Sequence, residues 1–433
     1  MRILAAALLL ASVSAPAIAQ ASRDTLADAV DSAIKSNPLL MAQRQTRAVA
    51  DETLEQAKAA MRPSIGLNGT YGTQQQEIGR TFQTPAGTFP LDGTSERATV
   101  GLEARQSIYS GGSLTANKRQ AESGIDSAEA QLRVAEQDII LSAITAFVDV
   151  RRGEEEVEIR GTNVSSLKQQ VQAAKDRFQA GEVTRTDVAQ SESREAGAEA
   201  DLAASRAELA SARAVYERAV GRPPVQLADP PAAPQLPGTL EEVLAAARAD
   251  NPRLVAARAE EQAAEHGIDI AKGALRPKVG IVGNAGMQET YQDQTFRDTN
   301  LGLTAEVRIP LFEGGLLSSK TRASRLEADR ARYQRLALER EVTALTTSAW
   351  HNVIAAREAI VASRSRVTAA ETALEGAKQE LAAGTRITLD VLDQERELLE
   401  AQLGVVDAER AAYIAVHQLL AAMGRLRPEA IGR

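Results

Sequence analysis

Cysteine is absent from this chain of 433 residues, and aromatic side chains make up only 3 % of it. Without cysteine there is no disulfide, no thiolate metal ligand and no thiol to carry a lipid. So few aromatics exclude a thick globular core, and the abundance of Ala, Glu, Gln, Arg and Leu points to long helices instead. Basic and acidic residues are interspersed and the net charge is −8, so no patch suits nucleic acid. After the N-terminus no apolar run reaches the roughly 18 residues of a spanning helix, so any membrane crossing must use strands. The histidines (His266, His351, His417) are scattered, and neither a nucleophile elbow nor a phosphate-binding loop is present. The chain is therefore expected to be no enzyme and to hold neither metal nor cofactor, and energy must come from a partner.

Residues 1–19 read as a secretory signal peptide. Arg2 supplies the positive start, Ile3 to Val13 the apolar run, and Ala17-Ile18-Ala19 the small-residue cleavage site, which would leave Gln20 first in the mature chain.

The mature chain is written twice. Asn37-Pro38 returns as Asn251-Pro252 and QAKAAMRPSIGL (56–67) as IAKGALRPKVGI (270–281), both 214 residues later. Gly111-Gly112, Gly181 and Gly221-Arg222 return as Gly314-Gly315, Gly384 and Gly424-Arg425, all 203 residues later. The offset changes once, between Pro63 and Gly111, where a surface loop tolerates insertion. The rest keeps strict register, as rods do. The expected organisation is a first repeat over 20–220, a proline-rich linker over 221–238 and a second repeat over 239–433.

Each repeat opens with a short helix (about 22–35 and 239–250), then Asn-Pro and a second helix (about 38–61 and 252–275). Arg62-Pro63 and Arg276-Pro277 stop the second helices. Period-two alternation comes next, giving strands at about 64–76, 98–109, 278–290 and 300–310. In LGLTAEVRIPL, Leu301, Leu303, Ala305, Val307 and Ile309 oppose Gly302, Thr304, Glu306 and Arg308; Val282 breaks the pattern of its own strand. The apolar stretches are about ten residues long, the span of a tilted membrane strand, although a half-exposed sheet alternates in the same way. Proline-free rods succeed the strands (about 112–180 and 315–383), with apolar positions stepping by threes and fours. Ala180-Gly181 and Ala383-Gly384 end them. Returning helices (about 185–220 and 388–423) complete each repeat. A returning helix and the helix before the strands together reach about 90 Å, close to the roughly 105 Å of one rod, so the two are expected to stack end to end beside it.

Four strands cannot close a barrel, and open edges cannot face lipid. Membrane-spanning strands would therefore be pooled from several copies, with every helix on one side and the hydrophilic strand face lining a lumen. Two, three or four copies would satisfy closure.

The signal peptide, the duplication, the strand–Gly-Gly–helix joints and the turns AGEVTRTDV (180–188) and AGTRITLDVLD (383–393) together resemble the TolC family of outer-membrane efflux proteins. The likeness covers essentially the whole mature chain. It implies a mixed α and transmembrane β fold: a trimeric 12-stranded outer-membrane β-barrel, about four strands from each copy, continuous with a long periplasmic α-helical barrel. It implies a homotrimer in outer-membrane lipid, docked at its tip turns (Gly181, Gly384) to a periplasmic membrane-fusion adaptor. An inner-membrane RND-type pump or ABC exporter completes the conduit, for drug efflux or type I protein secretion. Without a cysteine the chain falls nearer the non-lipidated branch.

Asp390 and Asp393 lie three apart near the start of a helix, so they face one way. As isolated residues they read as favourable partners of the helix dipole. The resemblance makes them a tunnel constriction, where Gln190 in the first repeat need not face the lumen. It also makes Arg386, with Asp187 and Thr186 of the facing turn, a gate latch, from which the family's aromatic partner is missing because Leu381 stands there. The alternatives without a channel are a periplasmic coiled-coil scaffold, which leaves the strands unexplained, and a trimeric surface stalk, which would carry its strands at the C-terminus.

Overall fold

The computed structural model describes residues 23–76, 81–85, 87–90, 93–291 and 295–430. The expected signal peptide lies outside the described residues. Helix boundaries are set by local chemistry. Thr25 and Asp28 form a reciprocal capping box that starts α1 (Leu26–Ser36). Asn37 ends that helix in an extended conformation, the one favoured before proline, and its side chain accepts from the Leu39 amide at 2.9 Å to start α2 (Pro38–Ala59). The same device returns where Asn251 separates α5 (Leu240–Asp250) from α6 (Pro252–Gly273), accepting from the Arg253 amide at 3.0 Å. Asn-Pro is thus a hinge that stops one helix and caps the next.

The strands are β1 (Ser64–Gln76), β2 (Thr81–Thr84), β3 (Gly87–Pro90), β4 (Gly93–Tyr109), β5 (Lys278–Tyr291) and β6 (Thr295–Arg308). The segment read as a surface loop carries the small β2–β3 hairpin. The main sheet has the order β1-β4-β5-β6, antiparallel throughout. Ser64 pairs with Arg105 and Lys278 with Arg308, the same repeat positions, so both hairpins share one register. β4 and β5 join the repeats, and among the described residues β1 and β6 are the free edges.

One face carries Ile65, Leu67, Val100, Leu102, Ile281, Leu301, Leu303 and Val307, all exposed. The other carries Asn68, Arg97, Glu103, Arg105, Asn284, Asp298, Glu306 and Arg308. Val282, the residue that broke the alternation, sits on that polar face, opposite Arg105 and Thr304. β4 starts at Gly93 and β6 at Thr295, earlier than alternation indicated, because pairing with β1 and β5 continues past the apolar band. Among the described residues no helix is long and apolar enough to cross a membrane.

Beyond the strands stand the rods α3 (Ser113–Gln179) and α7 (Leu316–Ala382), each 67 residues, about 100 Å long. Each starts after a left-handed glycine pair (Gly111-Gly112, Gly314-Gly315) and returns as α4 (Arg185–Val220) or α8 (Thr388–Ala422). α4 ends against α1, where Ser32 and Ser36 hydroxyls donate to the Val220 carbonyl at 3.0 and 3.2 Å. α8 ends against α6, where Asn251 Nδ2 donates to the Ala422 carbonyl at 2.8 Å. Each rod is therefore flanked by two shorter helices spliced at mid-height. α3 also packs on α6 and α8, and the α3–α8 crossing is tied by Arg152–Asp407 at 2.6 Å and by Asp149–Arg410.

The core lies at the splice. Ile140, Ile144 and Phe147 of α3 pack with Leu26 and Val30 of α1, Tyr216 of α4 and Leu419 and Met423 near the end of α8. Tyr216 is fully buried; its hydroxyl meets Asp24 at 3.2 Å, and Arg222 pairs with the same carboxylate. Burial, with Asp24 beside it, raises the Tyr216 pKa well above the usual phenol range.

Candidate functional site

The end of the rods farthest from the sheet brings the two glycine turns together with most of the sequence-predicted residues. Gly181 and Gly384 are left-handed (φ 83° and 77°), and the Glu182 and Thr385 amides close back on the Arg177 and Glu380 carbonyls at 2.9 Å in each turn. A glycine is needed because these residues have positive φ.

The two turns then diverge by one residue. In the first, Thr184 caps α4: Asp187 Oδ2 accepts from the Thr184 amide at 2.8 Å and from its hydroxyl at 2.9 Å. In the second, the equivalent of Thr184 is Ile387, which offers no side-chain cap. The side chain of Asp390, the equivalent of Asp187, therefore has no hydrogen-bond or ion-pair partner among the described residues, and its carboxylate is free at the helix start. Replacing a capping threonine by isoleucine converts a structural acid into an available one.

Asp393 lies on the same side one turn on, and Arg194 of α4 reaches it at 2.9 Å. Arg386 pairs with Glu380 across its own turn at 2.5 Å rather than with Asp187, and Thr186 is exposed. The structure thus places Arg386, Asp187 and Thr186 at the same tip without joining them inside one chain. Leu381 packs with Leu374, Ala377 and Val391, and so does apolar work.

Three residues of the tip are not signalled by the sequence motifs: Arg194, Glu380 and Glu395. Glu395 is buried, although it stands two residues after the turn motif; Ser166 Oγ lies 3.3 Å from one of its oxygens, and the other has no partner among the described residues. Its signal was position: Glu395 comes one turn after Val391 and Leu392 on the apolar face of α8. Among the described residues no group of His, Asp and Glu is arranged to hold a metal.

An antiparallel sheet with one apolar and one polar face, two open edges and a paired-rod body on one side is the architecture of an outer-membrane channel-tunnel protomer. The chain belongs to the outer membrane efflux protein family, whose model matches residues 29–222 and 243–425, once in each repeat. The outer membrane efflux protein BepC of Brucella suis is 32 % identical over 410 residues, covering 94 % of this chain and 87 % of BepC. The outer membrane protein TolC of Vibrio cholerae is 24 % identical, covering 93 % of this chain and 91 % of TolC. Among solved structures, the outer membrane protein VceC of Vibrio cholerae superposes with a TM-score of 0.79 at 22 % identity, over 92 % of this chain and 96 % of VceC. The fold is that of the channel-tunnel proteins. As a member of this family the protein is a transport component rather than a catalyst.

Proposed function

We propose that three copies of this chain form an outer-membrane channel-tunnel that exports substrates across the outer membrane. The single observation that carries this is the four-stranded sheet, apolar on one face, polar on the other and unpaired at both edges. β6 runs antiparallel to β1, so an edge of one copy pairs with the opposite edge of the next without reversing a strand, and the repeated contact closes a cylinder. The free flanks of the helical body support the same seam: Leu326, Tyr333 and Val361 of α7 and Leu39 and Val49 of α2 are exposed. The rods then form a periplasmic tunnel. Its tip turns at Gly181 and Gly384 dock a periplasmic membrane-fusion adaptor, and an RND-type pump or ABC exporter in the inner membrane supplies cargo and energy.

At the tip, Asp390 and Asp393 from three copies form an acidic constriction that attracts cations and repels anions, with Asp390 unpartnered and Asp393 paired to Arg194. The free carboxylate of Asp390 supports this role. Arg386 latches the tip by leaving Glu380 for Asp187 and Thr186 of the first-repeat turn; Asp187 keeps Oδ1 available because its cap uses Oδ2.

Planar-bilayer recording tests the reading. The purified protein should insert as ion-conducting pores, and La³⁺ should block them from the tip side. Asp390→Asn/Asp393→Asn should weaken that block at least tenfold. A protein extracted by salt that makes no pores rejects the channel, and unchanged block rejects the constriction.

A further inference from the structure

Near the tip, α8 is tied to the first repeat on two of its sides. On one, Asp393 Oδ1 lies 2.9 Å from Arg194 Nη2 of α4, both side chains half-exposed. On the other, the buried Glu395 takes a hydrogen bond from Ser166 of α3 and stands 3.7 Å from Lys378 of α7. The repeat does not copy these ties. Where the first repeat has Arg194 the second has Glu397, where the second has Asp393 the first has Gln190, and Ser166 is replaced by Ala369. Transposed to the seam between copies, the same contact therefore holds neither an ion pair nor a hydroxyl. The tie between the two coiled coils is built inside each chain.

We infer that Arg194 is a positioning residue of the tip gate: its pair with Asp393 holds the α7–α8 coiled coil against α3–α4 and masks one of the two constriction carboxylates. This rests on the tip reading proposed above. Widening the tip requires α8 to leave α4. That motion parts Arg194 from Asp393 and draws Glu395 away from Ser166, exposing a buried carboxylate with one oxygen already unpartnered. Leu381 offers no hydrogen bond across the turns. Arg194 supplies the missing tie two turns further along α4. One side chain thereby sets two properties together, the closed state and the charge of the ring, because a free Asp393 appears only when the tie breaks.

The test is bilayer recording of the full-length protein as wild type, Arg194→Ala, Arg194→Lys and the exchanged pair Arg194→Asp/Asp393→Arg. Arg194→Ala should raise the open fraction roughly two- to fivefold, the range expected for a half-exposed ion pair. It should also strengthen La³⁺ block, because Asp393 is unmasked. Arg194→Lys should return the open fraction to the wild-type level, and the exchanged pair, which also changes the ring charge, should lower it below that of Arg194→Ala; a merely structural role for Arg194 predicts neither. If Arg194→Ala changes neither quantity while Asp390→Asn weakens block, the tip reading stands and the Arg194 tie is wrong. If no variant including wild type conducts, both fall.

Discussion

Equivalent acids do different work at the two tip turns. Asp187 and Asp390 occupy the same repeat position, yet only Asp187 closes a capping box, because Ile387 stands where the first repeat has Thr184. A second residue-scale contrast lies in the core. His417 is fully buried; its Nδ1 meets the Tyr413 carbonyl at 2.8 Å, and its Nε2 has no partner among the described residues. Burial holds its pKa below the ordinary 6.5, so the folded chain keeps it neutral. The unfolded chain takes up the proton near 6.5, and so stability present above that pH is lost as pH falls through the depressed folded value. His417→Gln should therefore lose less Tm between pH 8 and pH 5 than the wild type, by thermal unfolding in detergent. Parallel pH profiles would show that His417 does not titrate with unfolding.

At the scale of elements, the splices depend on close approach. A Cβ on Gly424 would overlap the Asp250 carbonyl, whereas at Gly181 nothing lies within 4 Å; both are left-handed. Each alanine substitution incurs about 1–2 kcal/mol of backbone strain. Gly424→Ala should add roughly 1–3 kcal/mol of overpacking. Denaturant unfolding should rank Gly424→Ala well below Gly181→Ala, and equal midpoints would mean the splice relaxes without strain.

Helix ends were legible because glycine and Asn-Pro act through local backbone conformation, which one or two residues dictate. Strand faces were legible where apolar and polar residues alternate, hence from 98 and 300 onward. The stretch before each, from Gly93 and from Thr295, belongs to a strand because a partner pairs with it, and Thr94 to Arg97 carry no apolar period of their own. Arg194 and Asp393, 199 residues apart, meet only through the crossing of two helices. Asp390 could be singled out from its motif; that its carboxylate is free depends on Ile387, whose meaning emerges only beside Thr184.

For the whole molecule, the internal seam gives a register for the proposed contact between copies. β4 sets Glu103 opposite Asn284 of β5. In the proposed trimer, the same contact shifted by one repeat would set Glu306 opposite Thr70 of the next copy. The natural chain has no cysteine to interfere. Thr70→Cys/Glu306→Cys should oxidise to a covalent ladder ending at trimer on non-reducing gels, and Thr70→Cys/Thr304→Cys should cross-link at least fivefold less. A ladder ending at dimer or tetramer would change the copy number, and equal yields would reject the register.

The mid-height splices also set how far a disturbance travels. α8 has no backbone continuing into α6; across that break the contacts are the Asn251–Ala422 carbonyl hydrogen bond, the Arg425–Asp250 ion pair at 3.1 Å and side-chain packing. A swing of the lower helix can slip at this joint instead of dragging the strands with it. In the proposed channel the entrance would then dilate while the bore formed by the strands keeps its diameter.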